Sequence, residues 1–500
     1  MKSNRISSRP QRFAALALLC AILLGSLCGC GIIIINGDED TTEEATTVTP
    51  ETSTAPETGD VTEPEDTEEE TEPLPDVTVV IKPVTFPSRI EDAEDRLDSL
   101  TDLVDISDFD LVYASSKDTV ELFFPDEEAP LYAAYSNRNS MLHEKYEVDI
   151  LSIYESVDTD TLFSDLSAAI KSGDGAEYYL DMLVLPANRA GVFLANGLLQ
   201  DMRKLPFYNV KEGPTAGNIG PSRYFDTGDG TDAPELIYAL YFNRTAVGAE
   251  AEKKLYSSAL DGSLTFDSLF EVQSEAAITV CGFDNGLAGR LAVSLSGYEY
   301  VTHKDSTTQI TLTAENAAAI DALLSRLSAA LKAPGTDTVT AAEAFMAGAS
   351  PFYIGTLSDI EQFYDKPTEW GILTLPSDCR MGAIADSRPV ICVPVTNTRP
   401  EQLGLWLTAF NAASGDWIRD QYLAEMIENR LRDNNSCLTL FEILSREANV
   451  DFTLLFSDRY KGLAEATYLA AAGAVRGELS FSGTLAANIA ALNKKLQSTP

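Results

Sequence analysis

Two histidines, His143 and His303, are all that this chain of 500 residues contains, and no other ligand type clusters near either. That scarcity excludes a multi-histidine metal site, and His143, on a polar helix face, reads as solvated. Cysteine is scarce too. Cys20, Cys28 and Cys30 lie near the amino terminus, and Cys281, Cys379, Cys392 and Cys437 show no Cys-x-x-Cys spacing. A zinc or thioredoxin-like site is therefore not expected, while disulfides and buried free thiols both stay open. Gly282 to Gly289 holds three glycines without phosphate-loop or dinucleotide spacing. A nucleophile elbow and a histidine-containing triad are missing as well. Asp226-x-Gly228-Asp-Gly-x-Asp232 hints at a calcium loop, yet no glutamate completes an EF-hand, and an acidic connecting turn is the expectation. No cofactor is implied. Basic residues are also few, 36 Lys+Arg against 77 Asp+Glu for a net charge of -41. This argues against tracking nucleic-acid phosphates or adhering to anionic lipid by charge. What is present is a globular balance, 45% hydrophobic to 23% charged, which rules out a wholly disordered chain.

The charge is unevenly placed. Residues 1–30 carry Lys2, Arg5, Arg9 and Arg12 and no acid, whereas residues 31–78 carry 16 acids and no base. Phe13 to Leu27 is a continuous apolar or small-residue run, too short for the roughly 18 residues of a membrane-spanning helix, and reads as a secretion signal. Its end, Leu27-Cys28-Gly29-Cys30, resembles the bacterial lipobox. The resemblance implies a signal over residues 1–29 and a diacylated Cys30, with Cys28 the weaker candidate because Leu27 fills a position that wants a small side chain. Two acyl chains would anchor the protein without a membrane helix, placing it on the outer face of the bacterial cytoplasmic membrane. Residues 30–78, rich in Thr, Glu, Asp and Pro, read as an extended acidic tether, followed by a connector over 79–106.

From about residue 107 short apolar runs alternate with helical periodicity. Strands are expected at Leu111–Ala114, Val148–Tyr154 and Tyr179–Leu185, with helices at Pro130–Tyr146 and Asp160–Lys171 between them. Leu312–Ala333 reads as a helix capped by Thr313 and stopped by Pro334-Gly335, with Ile320, Leu323, Leu324, Leu327 and Leu331 on one stripe. Strands follow at Pro351–Ile354, Gly371–Leu375 and Val390–Val395. A helix is then expected over Pro400–Ala413, with Leu403, Trp406, Leu407 and Phe410 on a common face, and mostly helix to Lys495. Such alternation means an α/β fold of mainly parallel sheets flanked by helices, and its length asks for two lobes.

Several stations, in order, resemble extracellular solute-binding proteins of ABC importers, of the family 1 type that includes sugar and oligosaccharide binders, with a clostridial flavour. They are Tyr135-Ser-Asn-Arg-Asn-Ser-Met-Leu-His-Glu-Lys-Tyr146, Asp181-Met-Leu-Val-Leu-Pro-Ala-Asn188, Leu194 to Pro206, Leu240-Tyr-Phe-Asn243, Leu255-Tyr, Gly262 to Leu269, Trp370-Gly-Ile-Leu-Thr-Leu-Pro376 and Arg432 to Phe452. Two stations depart from the pattern. The family's Trp is Leu264 here, and its Gly-Lys-x-Ala-Met run appears only as Phe345-Met-Ala-Gly-Ala-Ser350. The resemblance implies a two-lobe, periplasmic-binding-protein-like fold of type II, with residues 107–235 plus 376–420 as lobe 1 and 236–375 plus 421–500 as lobe 2, joined by a hinge. It further implies binding without turnover, of a small polar ligand such as a sugar or oligosaccharide, and delivery to ABC permease subunits.

In open α/β sheets ligands lie beyond the carboxyl ends of the strands. The candidate contacts are therefore Ser115 and Ser116 after the first strand, Glu155 after the second, and Asn188 and Arg189 after the third, with Tyr224, Tyr353 or Trp370 offering a ring face to a sugar. Two alternatives stand beside transport. One is a surface sensor or adhesion protein on the same fold, which the missing Trp at Leu264 favours. The other is a secreted glycan hydrolase or esterase using paired carboxylates such as Asp226 and Asp229.

Overall fold

The computed structural model describes Ile106 and residues 109–172, 179–208, 218–219, 222–273, 278–280, 293, 301–304, 307–310, 313–330, 338–377, 382–383, 385–415, 417–445, 448–449, 455–456, 458 and 463–497. The signal, Cys30, the tether, the connector up to residue 105, Cys281, Cys379, Gly282–Gly289 and residues 331–333 lie outside the described residues. Ser88–Pro500 forms one compact unit.

The main strands are β1 (Leu111–Ser116), β2 (Ile150–Val157), β3 (Met182–Pro186), β4 (Tyr238–Asn243), β5 (Ile278–Val280), β6 (Phe352–Thr356), β7 (Trp370–Leu373) and β8 (Pro389–Cys392). The helices used below are α1 (Tyr132–Tyr146), α2 (Thr159–Ser172), α3 (Ala187–Ala195), α4 (Ala314–Ala330), α5 (Pro400–Ser414), α6 (Trp417–Asn429), α7 (Asn434–Ser445), α8 (Leu463–Val475) and α9 (Phe481–Gln497). Each begins or ends where its sequence allows. Asp158 accepts the Thr161 N–H at 2.9 Å and so caps α2, Thr313 accepts the Asn316 N–H at 3.1 Å and caps α4, and Pro400 opens α5.

Two four-stranded sheets result, in the orders β8-β3-β1-β2 and β7-β4-β6-β5. In each, three strands share one direction and one runs against them. That is the mainly parallel arrangement expected, with one reversed strand in each sheet: β8 pairs antiparallel with β3, and β4 pairs antiparallel with both β6 and β7. The reversed strands have a common origin, for β4 is the strand that leads into the second sheet and β8 the strand that leads back into the first.

Alternation along the strands sorts the apolar side chains. Ala114, Leu183, Leu185, Val390 and Cys392 face one side of the first sheet and join Leu162 and Leu166 of α2 in an apolar core that continues through Leu240, Phe242, Phe352 and Ile354 of the second sheet. Tyr113 faces the other side, where Phe123, Trp406 and Phe410 form a chain of rings with centroids 4.6 to 5.9 Å apart. Into this apolar layer α1 places Arg138, 0% exposed. Its guanidinium lies 4.3 Å from the Phe410 ring centroid and 4.8 Å from that of Tyr135, and it donates to the carbonyls of Leu122 and Gly230.

Candidate functional site where the strand ends meet

The two connections between the sheets run side by side. Ala385 N–H of the return connection donates to Leu236 O of the outgoing one at 2.9 Å. Onto this pair the carboxyl ends of three strands converge. After β1, Thr119 Oγ1 donates to Ser387 O at 2.6 Å; after β3, Ala187 and Asn188 donate to Arg388 O and Asp386 O at 2.9 and 3.0 Å; after β6, Leu357 donates to Ile237 O at 2.9 Å. The carboxyl edges of both sheets are thus tied to one hinge, the placement that puts a cleft between two lobes.

On the first sheet's side of this edge the polar groups are largely matched to each other. Ser116, 2% exposed, has its hydroxyl 2.7 Å from Thr159 Oγ1. Thr159 in turn gives its N–H and hydroxyl to Asp118 Oδ2 at 3.0 and 2.8 Å, and these bonds hold the Asp118 carboxyl below the usual carboxylate range. Arg189 is ion-paired to Asp160 at the start of α2. Lys117, Asp118 and Asn188 are exposed. They offer an ammonium donor, a carboxylate acceptor and an amide that is both, a set able to bond ligand hydroxyls.

The expected contacts divide accordingly. Ser116, Asn188 and Arg189 gather at this edge. Ser115 is adjacent but shares the strand face of Tyr113; it is 5% exposed, and its hydroxyl has no hydrogen-bond partner. Glu155 lies within β2, two residues before Val157, the partner of Ser116, and its side chain is outside the described residues. Tyr224 is half-buried against the apolar core. The second-lobe aromatics are placed differently. Tyr353 is 0% exposed in the core, its hydroxyl donating to Asp359 Oδ2 at 3.0 Å. Trp370 opens β7 opposite Asn243, the far end of β4 from the hinge by about 17 Å of strand, and its indole donates to Phe363 O at 3.0 Å. Lys117 and Asp118 were not among the sequence candidates. The available signal was Asp158-Thr159 as a helix start, which brings α2 back over the end of β1.

Two of the rival readings lose their sequence support. Leu264 is 1% exposed within the apolar core, so a ring at that position would face the core and not a ligand. Asp226 is 1% exposed, with Oδ1 accepting from Gly228 N–H and Oδ2 from Asn411 Nδ2 at 2.7 Å. Asp232 pairs with Arg419 at 2.6 Å. The acidic turn is therefore held by structural partners. Cys392 and Cys437 are buried free thiols.

The fold is the two-lobe, periplasmic-binding-protein-like α/β fold. The chain is similar to the cyclic α-maltosyl-1,6-maltose binding protein of Arthrobacter globiformis, with 14% identity, 78% of this chain and 99% of that one covered, and a TM-score of 0.51. It is also similar to the galacto-N-biose/lacto-N-biose I-binding protein of the ABC transporter from Bifidobacterium longum, with 15% identity, 78% and 96% covered, and a TM-score of 0.48. A third is the GacH receptor of Streptomyces glaucescens, with 14% identity, 78% and 100% covered, and a TM-score of 0.47. No family model and no curated protein matches the chain. At these identities the likeness is one of fold.

Proposed function

We propose that this protein is a solute-binding lipoprotein of family 1, of clostridial type, that captures a carbohydrate between its two lobes and hands it to an ABC permease. The observation that carries the reading is the convergence of the ends of β1, β3 and β6 on the paired connections, with Lys117, Asp118 and Asn188 exposed beside them. In this reading residues 1–29 are removed, Cys30 holds the acyl chains, residues 30–78 extend the folded part from the membrane, and the lobes divide at residues 235–236 and 375–376. Transport is favoured over sensing or hydrolysis because the residues that supported those readings, Leu264 and Asp226, are taken up in the core and in a turn.

Calorimetric titration of the chain from residue 30 onward with a panel of malto- and galacto-oligosaccharides should give one site per chain. Asn188→Ala should weaken it about tenfold, the effect of one or two hydrogen bonds, with an unchanged melting temperature. A panel without heat, or an Asn188→Ala variant that binds as the parent does, would count against the site. Anchoring is read separately. Cys30→Ala should abolish fatty-acid labelling and Cys28→Ala should spare it.

A further inference from the structure

The hinge contains a carboxyl group that the binding reading does not use. Glu235 lies in the turn Pro234–Leu236 of the outgoing connection, which packs on the turn Leu357–Asp359 that follows β6. Its Oε2 is buried without a hydrogen-bond partner. Around it stand Asp232 on its own connection, Tyr135 of α1, whose hydroxyl donates to Asp232 O at 3.0 Å, and Tyr422 of α6, whose hydroxyl donates to Leu357 O at 3.3 Å. Tyr422 also faces Asp359, Glu361 and Arg430, and Tyr135 faces Arg138. The arginines of this region have partners of their own, Arg419 in Asp232, Arg388 in Thr227 O, with Asp226 and Asp229 close to it and its Nε buried without a hydrogen-bond partner among the described residues, and Arg430 in Glu361. Asp359, in the opposing turn, is 4% exposed and accepts from Tyr353 and from Gln362 Nε2 at 2.6 Å.

We propose that Glu235, seconded by Asp359, is a proton-operated latch on the hinge: protonated, it lets the two turns lie against each other, and on losing its proton it loosens them and frees the lobes to separate. Glu235 is half-buried, and on ionisation its enclosed Oε2 would lie beside Asp232 with no paired cation among the described residues, whereas the neutral acid is tolerated. The titration agrees in direction. Burial raises Glu235 from an ordinary 4.5 to about 8, with Asp232 adding to the rise, and burial raises Asp359 from 3.8 to about 6. Both groups therefore take up protons on folding, so the stability they confer is complete below their ordinary values. It is lost as pH climbs, through about 6 for Asp359 and through about 8 for Glu235.

The latch rests on the two-lobe fold and needs no ligand, so its failure and that of the sugar reading are separable. The test is hydrogen exchange of the ligand-free chain from residue 30 onward, corrected for the intrinsic effect of pH. Peptides covering 234–237 and 357–359 should exchange at least tenfold faster at pH 9 than at pH 6.5. In Glu235→Gln, which keeps the shape without the charge, they should stay protected at both, while α9, which packs on α4 and α8, is unchanged throughout. A parent chain with equal protection at the two pH values overturns the latch. So does a Glu235→Gln variant with the parent's pH profile, or a loosening that includes α9 equally. Should Glu235→Gln fold poorly, Glu235→Met supplies the uncharged comparison.

Discussion

Arg138 shows how a single side chain can join layers that the sequence leaves separate. Its position in the run Tyr135 to Tyr146 suggests a solvated helix face, yet it is fully buried, stacked on Phe410 and Tyr135 and bonded to Leu122 O and Gly230 O. One guanidinium thus ties α1, α5, the loop after β1 and the turn before β4. Its burial lowers its pKa to about 10, still far enough above neutrality that it stays charged. Arg138→Ala strips the two carbonyls of their donor and leaves a void, and should cost about 2–4 kcal/mol in urea unfolding. Arg138→Lys should recover only part of it, because an ammonium cannot lie flat on two rings. Periodicity could not find this residue, since its burial depends in part on Gly230 and Phe410, both more than 90 positions away. The same holds for Ser115, expected after the first strand but lying within β1, whose place near the carboxyl end was readable while the face it points to was not.

Elements were far more legible. The boundaries expected for α1, α2 and α5 fall within two residues of those observed, because apolar spacing and caps are local. Strand position was legible for six of the eight main strands, β4 and β5 not being among those expected, and strand direction was not. Whether β4 runs with or against β6 is decided by the connection that delivers it, which no period-2 pattern records. The helices also carry an element-scale constraint at Gly404 of α5, where an added Cβ would come 1.9 Å from Pro206 O. Gly404→Ala must lift α5 from that backbone and should destabilise by about 1–3 kcal/mol, read as a lower midpoint in thermal unfolding. The last two helices offer a further check. Asp321 of α4 accepts from the N–H groups of Phe481 and Ser482 at the start of α9, so Asp321→Ala should raise exchange in α9 before any other helix.

For the whole molecule, the charge that dominates the sequence is a poor guide to the ligand. Of the net -41, the stretch 31–78 holds 16 negative charges, and the groups at the hinge edge combine one exposed ammonium, one carboxylate and one amide. For the proposed site a neutral ligand is the expected outcome, with a dissociation constant that changes less than twofold between 50 and 500 mM salt. A steep salt dependence in the same titration would instead indicate a charged solute. At this scale the two-lobe architecture was legible from the ordered stations, while of the proposed edge the sequence located Ser116, Asn188 and Arg189 at or just past the strand ends of the first sheet. On the second lobe the aromatics Tyr353 and Trp370 stand at the amino ends of their strands, and distance from the hinge is a property of topology.

The reversed strand β8 has a consequence for how such a chain is made. It completes the first sheet by pairing Ile391 with Val184, residues separated by some two hundred positions and the entire second sheet. A chain emerging amino terminus first cannot finish its first lobe until nearly four-fifths of it has appeared, and closure over so long a loop is slow. During synthesis the first lobe is an open-edged sheet awaiting its last strand. That delay would keep the polypeptide threadable, the state that the secretion route proposed above requires of its cargo.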